Sequence, residues 1–116
     1  MQTHKNELAD LSTRALVARR ARAVSRLGDV EGVLAGSLVE QTRRCGKTGC
    51  RCAQGPGHGP YAYFAPRTAG RGALRYVPAG LVAAVRTRLR RGEAVQAVLT
   101  EIAAINAELL GRRELD

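Results

Sequence analysis

All three cysteines and one of the two histidines of this chain lie within fourteen residues, in the order Cys45, Cys50, Cys52 and His58. A chain of 116 residues builds only a modest core, so a bound metal ion or other cross-link that orders its loops adds much to its stability. Thiolate sulfur and imidazole nitrogen are the ligands that tetrahedral Zn²⁺ prefers. The Gly-Lys-Thr-Gly segment after the first cysteine favours a tight turn, and Cys50 and Cys52 can point the same way from an extended chain. The cluster therefore predicts a four-ligand zinc site.

Other interpretations of the cluster remain open. Three reduced thiols beside a loop histidine need no metal, and a redox switch is a further option, since neighbouring cations favour thiol reactivity. No Cys-x-x-Cys pair is present to carry a disulfide exchange. The Cys-Gly-Lys-Thr run is not a phosphate-binding loop, because Gln41 stands where that motif requires glycine.

A complete set of four ligands leaves no coordination position for water, so the zinc ion is expected to be structural. An enzyme is the class least favoured by the sequence, because no Asp or Glu lies between Gln41 and Gly92 to act as an acid or a base. If one cysteine were not a ligand, an open catalytic metal would return as an option, with Glu40 as the nearest base.

Positive charge is concentrated in the middle of the chain. The net charge is +9, and eleven basic residues but no acidic residue lie between Gln41 and Gly92. A GC-rich genome adds arginine throughout a chain, but it does not remove acids from one part of it. A polyanion is the natural partner of such a segment, and nucleic acid, with DNA favoured over RNA, is the predicted one.

The residues expected to contact nucleic acid carry a positive charge or an aromatic ring, and they lie on the cysteine segment, the segment after it and the last helix. They are Arg43, Arg44, Lys47, Arg51, Arg67, Arg71, Arg75, Arg86, Arg90, Tyr61 and Tyr63. Two plainer interpretations compete with this one. The helical arginines also fit a solvated face, and the four cations nearest the cysteines could offset the charge of about −1 that three thiolates give a zinc site.

Hydrophobic periodicity predicts an α+β fold. Leu8, Leu11, Ala15 and Ala18 follow helical spacing, which predicts an N-terminal basic helix from about Asn6 to Leu27 that ends at Gly28. A short strand is expected near 37–42, and a β-hairpin follows the cysteine segment. We expect one hairpin face to be core and the other to present arginine and tyrosine, with Tyr61 and Tyr63 together.

A long C-terminal helix is predicted after Pro78, with an apolar seam at Val98, Ile102, Ile105 and Leu109. Gly92 leaves a kink or break of this helix open, because glycine costs about 1 kcal/mol relative to alanine in a helix interior. The predicted segments are 1–28, 29–78 with the zinc knuckle and hairpin, and 79–111, all within one compact domain.

The order of short motifs in this chain resembles a small prokaryotic family known as a domain of unknown function. The motifs are Gly-Ser-Leu at 36–38, Cys-Gly-Lys at 45–47, Cys-x-Cys at 50–52, His-Gly-Pro-Tyr at 58–61 and Tyr-Val-Pro at 76–78. The resemblance covers about residues 34 to 110, and Gly92 departs from it. Members often accompany mobile-element genes, so the resemblance implies an accessory role in DNA transactions.

A cytoplasmic location is expected, because the N-terminus is too polar for a signal peptide and no uninterrupted apolar run approaches 18 residues. Thiols stay reduced there. The alternative function is a protein–protein adaptor or dimerisation module that uses the helical seam. A homodimer or a partner protein bound through the helices is compatible with either function, and no membrane partner is expected.

Overall fold

The computed structural model describes residues 7–44, 46–51, 54–55, 57–67 and 73–116. In chain order, a 3₁₀ turn at Glu7–Asp10 precedes helix α1 (Thr13–Ser25), strands β1 (Gly36–Arg43), β2 (His58–Pro66) and β3 (Arg75–Val77), a second 3₁₀ turn at Ala79–Leu81, and helix α2 (Val82–Gly111). The strands form an antiparallel sheet in the order β1-β2-β3. The predicted α+β fold, with an N-terminal helix, a small antiparallel sheet and a long C-terminal helix, is confirmed.

The chain forms two compact units. The first, here called the helical unit, comprises Met1–Glu31 and Ala94–Asp116, and the second, the sheet unit, comprises Gly32–Glu93. Helix α2 contributes its residues up to Glu93 to the sheet unit and its residues from Ala94 onward to the helical unit. The predicted boundary after residue 28 lies three residues from the boundary between the units.

The core of the helical unit lies between α1 and the second part of α2. Leu16, Ile105 and Leu109 are fully buried there, and Leu8 and Leu11 pack against them. The predicted seam of α2 is confirmed at Val98, Ile105 and Leu109, all of which are buried, while Ile102 is half-buried.

The predicted N-terminal helix begins later than expected. The chain from Glu7 to Asp10 is a 3₁₀ turn, and α1 starts at Thr13, where the side chain of Ser12 accepts a hydrogen bond from the Ala15 amide at 3.1 Å. This restart shifts the helical phase, so Leu16 and Ala23 are buried while Ala18 is exposed. The prediction that Gly28 follows the helix in the left-handed region is confirmed by its φ of 59°.

Arginine side chains join the elements of the helical unit at their edges. Arg20 donates to Asn106 Oδ1 at 2.8 Å and to the Asp116 carboxylate at 2.9 Å. On the other side of α1, Arg26 pairs with Glu101. Arg112 bonds to the Leu8 carbonyl at 3.0 Å, so this side chain fixes the 3₁₀ turn against the end of α2.

In the sheet unit, side-chain alternation along the strands separates two faces. Tyr63 lies opposite Val39 of β1 and Tyr76 of β3, whereas Ala62 lies opposite Val77, which is buried. We call the face that carries the three tyrosines the tyrosine face. Contrary to the predicted pairing of arginine with tyrosine on one face of the hairpin, Arg75 lies opposite Phe64 and so belongs to the other face.

Helix α2 is unbroken through Gly92, which settles the question of a break at that position. The segment leading into β1 crosses the helix there: the Leu34 amide donates to the Arg88 carbonyl at 3.2 Å, and a Cβ atom added at Gly92 would overlap the Leu34 carbonyl oxygen. Glycine at this position allows the two backbones to approach.

By length and composition alone, the helical stretch Ala79–Gly111 could also cross a membrane. The expectation that no segment could do so rested on the lack of an uninterrupted apolar run. This stretch is interrupted by charged residues, but it contains an 18-residue window whose mean hydropathy is 1.3. Core helices of soluble proteins contain such windows too.

Candidate zinc site and basic surface of the sheet unit

The predicted turn before Cys50 is present in the structure. The Cys50 amide donates to the Lys47 carbonyl at 3.1 Å, and Gly46 and Gly49 have φ angles of 73° and 79°. Only glycine adopts this left-handed region at little cost, so the two glycines allow the chain to turn here. Cys50, which is a half-buried free cysteine, follows this turn directly.

His58 enters the same region from the other side, at the first position of β2. Its backbone lies opposite Arg43 at the end of β1, just past an irregularity in the strand pairing. Gly57 has a φ of 90°, and a Cβ atom added to it would come within 3.0 Å of the Arg43 carbonyl oxygen. A residue with a side chain would push β2 away from β1, so Gly57 is what permits His58 to pair at this point.

The two approaches bring one sulfur and one imidazole nitrogen together. Cys50 Sγ lies 3.3 Å from His58 Nε2. Ligands of a tetrahedral zinc ion, with Zn–S near 2.3 Å and Zn–N near 2.0 Å, are separated by roughly 3.5 Å. The observed distance therefore suits two ligands of one zinc ion, and it also suits a hydrogen bond between thiol and imidazole.

The other two predicted ligands, Cys45 and Cys52, lie outside the described residues, as does Arg71 of the predicted basic set. Within the part of the chain that the structure describes, no group of three or more His, Cys, Asp or Glu side chains could hold a metal ion.

The predicted basic residues occupy several surfaces of the sheet unit. Arg43 lies over the Tyr63 ring, 5.0 Å from its centroid, and Arg86 on α2 pairs with Glu40 on β1 at 3.7 Å. Arg90 donates to Thr87 Oγ1 at 3.4 Å. The side chains of the remaining described members are exposed: Arg44, Lys47, Arg51, Arg67 and Arg75.

Two residues that make contacts within this unit, Arg88 and Tyr76, are not among the site residues predicted from the sequence. Arg88 donates from Nη1 to the Gly32 carbonyl at 2.9 Å, and thereby holds the segment before β1 on the helix. Tyr76 is 57% exposed and contacts the rings of both other tyrosines. The alternation of Tyr76 with the buried Val77 was the signal that could have placed it on the tyrosine face.

The two units differ sharply in charge. The sheet unit contains eleven basic and two acidic residues, whereas the rest of the chain contains eight of each. The whole net charge of +9 therefore belongs to the sheet unit, and the helical unit is neutral overall.

A family model described as a domain of unknown function, DUF6788, matches residues 10–87, about two-thirds of the chain, and the chain belongs to that family. The expectation of membership in a family of unknown function is thus confirmed. Comparison with curated proteins and with solved structures found no match.

Proposed function

We propose that this member of the DUF6788 family is a nucleic-acid-binding module, in which a structural zinc ion orders the cysteine loop and the sheet unit contacts phosphates. The observation that supports the proposal most is the division of charge, because all of the net charge of +9 belongs to one compact unit. A cationic surface of this kind attracts phosphate backbones regardless of sequence and releases counterions on binding. An accessory role in DNA transactions follows only from the family resemblance.

Arg67 and Arg75 are good candidates for phosphate contacts. Both are exposed, and among the described residues no carboxylate pairs with either of them. Arg86 is less free, because it shares Glu40 with the sheet. About five phosphate contacts would give a log–log salt slope on the order of −4 on duplex DNA.

The test compares two charge reversals of equal size. Arg67→Glu with Arg75→Glu changes the sheet unit, and Arg14→Glu with Arg22→Glu changes exposed arginines of the neutral helical unit. We expect the first double variant to lose most retention of duplex DNA at 50 mM salt and to show a shallower salt slope, and the second to bind almost normally. Equal losses in both variants, or wild-type binding that does not respond to salt, would remove the proposal.

The zinc part of the proposal rests on the pair formed by Cys50 and His58. In sequence, Cys52 is two residues from Cys50, and Cys45 is two residues from Arg43, whose backbone lies opposite His58. Chain length therefore allows both thiols to reach the same ion. We expect one zinc ion per purified chain, lost in Cys50→Ser and His58→Gln but kept in His4→Gln, which changes the other histidine. Substoichiometric zinc that none of the three changes affects would argue for a plain thiol–imidazole hydrogen bond.

Self-association is a second candidate function, supported by apolar side chains on the helical unit. Val17 and Val24 are exposed on one line of α1, and Leu99 and Leu110 are exposed on α2. Arg20 lies on the same side of α1 as Val17 and Val24, and Asn106 lies on the same side of α2 as Leu99 and Leu110. The hydrogen bond between Arg20 and Asn106 therefore indicates that the exposed apolar residues of both helices face the same side of the helix pair. We infer that a second copy covers this side, since two neutral units do not repel each other.

Sedimentation equilibrium tests this second function. The wild-type protein should dimerise as its concentration rises, and Leu99→Glu should prevent dimerisation. Leu81→Glu, which changes a similarly exposed leucine of the sheet unit, is the matched control and should leave dimerisation unchanged. A wild-type protein that stays monomeric at every concentration would rule this function out.

A further inference from the structure

We propose that the tyrosine face of the sheet binds unpaired bases of single-stranded nucleic acid, with Tyr76 as the principal stacking residue; this inference rests on the proposed function and defines its substrate class. Bases in a duplex are hidden within the stack, whereas those of a single strand offer a π-face to any aromatic ring that they can reach. The inference depends on which rings are grouped, which face they occupy and which charges accompany them.

The three tyrosines of the chain form one cluster. Tyr63 and Tyr76 are cross-strand partners with ring centroids 5.9 Å apart and an interplanar angle of 65°, and Tyr61 meets Tyr76 at 6.4 Å and 68°. Tyr76 thus sits between the other two with edge-to-face contacts, a geometry that aromatic pairs prefer. These contacts hold the Tyr76 ring in place while 57% of the residue remains exposed.

The cluster lies on the face of the sheet opposite to Val77. Val77, which points to the opposite face from Tyr76, is only 5% exposed, and Glu40 on that opposite face pairs with Arg86 of α2. The helix therefore covers part of the Val77 face, on which Arg75 stays exposed. The tyrosine face keeps its rings half-buried to exposed, so a ligand can reach them.

The charges next to the cluster favour a phosphate chain that follows the bases. The guanidinium of Arg43 lies 5.0 Å from the centre of the Tyr63 ring, where it can contact the phosphate next to a stacked base. By register, the strand residues that share the face are Ser37, Val39, Gln41 and Ala65, none of which is acidic. A face with aromatic rings, a flanking arginine and no carboxylate combines the two features that single-strand binders use.

The chain itself supplies an optical readout, because it contains three tyrosines and no tryptophan. Fluorescence excited in the tyrosine absorption band therefore originates in this cluster. Stacking of a base on Tyr76 should quench it, whereas a polyanion without bases, such as inorganic polyphosphate, should bind the cationic unit and leave the emission nearly unchanged. Quenching of the same size by polyphosphate would contradict stacking.

The decisive experiment measures the binding of labelled oligo(dU), oligo(rU) and a DNA duplex of equal length at 50 mM salt. Tyr76→Ala should weaken binding to the single strands by about 5- to 150-fold, which is the range for the loss of one stacked base, and should leave duplex binding unchanged. Tyr76→Phe, which keeps the ring, should restore single-strand binding. The two single strands show whether the sugar matters.

The outcomes separate this inference from the function on which it rests. If Tyr76→Ala binds single strands like the wild type, the stacking site is wrong while phosphate binding stands. If the wild-type protein binds neither single strands nor duplex, the proposed function itself fails. Loss of single-strand and duplex binding together, with an unchanged circular dichroism spectrum, would also overturn the inference, because stacking on a base cannot account for lost duplex affinity.

Discussion

Gly92 lies where the segment before β1 crosses helix α2, and the absence of its side chain allows that crossing. Elsewhere in a helix, glycine is a weakness worth about 1 kcal/mol relative to alanine. Here the Leu34 carbonyl oxygen occupies the space that a Cβ atom would fill, and the Leu34 amide bonds to the Arg88 carbonyl one turn earlier. From the sequence alone, Gly92 is expected only to weaken the helix, because the segment that crosses it is 58 residues away in the chain.

Gly92→Ala is therefore expected to destabilise the protein by about 1–3 kcal/mol, the usual cost of overpacking, despite the higher helix propensity of alanine. Gly111→Ala is the matched control at the end of the same helix, where a Cβ atom would meet nothing within 4 Å. Urea denaturation of both variants measures the difference. A stabilised Gly92→Ala would mean that the crossing is not close.

The ion pair between Arg20 and Asp116 should make the stability of the folded state depend on pH. Hydrogen bonds from Arg20 lower the pKa of the Asp116 carboxyl below its ordinary value. Because the folded state holds the proton less tightly, the stabilisation is complete above the ordinary pKa of the carboxyl and is lost as pH falls through the lowered one. An NMR titration should show the low pKa of Asp116 in the wild type and its return toward the ordinary value in Arg20→Gln.

At the scale of elements, the sequence predicted the types of the helices and strands better than their ends. Alternating residues identified β2 and β3, and apolar spacing identified α2. The start of α1 was wrong because Leu8 and Leu11 continue a helical pattern in sequence although they belong to a separate 3₁₀ turn. Ser12 marks the true start, and its identity as a favoured N-cap residue was the available signal.

Ser12→Ala should destabilise the helical unit by about 1 kcal/mol, because the Ala15 amide loses its capping partner. Ser25→Ala, at the other end of α1, is a suitable control. Its hydroxyl donates to the Arg22 carbonyl in an exposed position, so we expect a change within about 0.5 kcal/mol. Thermal melts of the two variants provide the comparison, and equal shifts would show that Ser12 is not a true cap.

At the scale of the whole molecule, the sequence located the positive segment but not its relation to the fold. The acid-free window from Gln41 to Gly92 nearly coincides with the sheet unit, Gly32–Glu93. The division within α2 could not be predicted, since nothing in its apolar pattern changes at residue 94. The approach of Cys50 to His58 was predicted as part of the four-ligand set, because the glycine-containing segment between them is flexible enough for the chain to return.

Removal of zinc should therefore affect the two units unequally. All four proposed ligands belong to the sheet unit, so a chelator such as EDTA should abolish binding to DNA and preserve most of the helical circular dichroism at 222 nm. Readdition of Zn²⁺ should restore binding. If the chelator leaves binding intact, the metal has no part in shaping the cationic surface.

The crossing of the segment before β1 over α2 has a consequence for hydrogen exchange within the sheet unit. The Leu34 amide donates to the Arg88 carbonyl, and the Arg88 guanidinium donates to the Gly32 carbonyl. An amide exchanges its hydrogen only when such a bond opens, and a ligand that binds the folded sheet unit makes opening rarer. Binding should consequently slow deuterium uptake at Leu34, a residue outside the proposed contact surface.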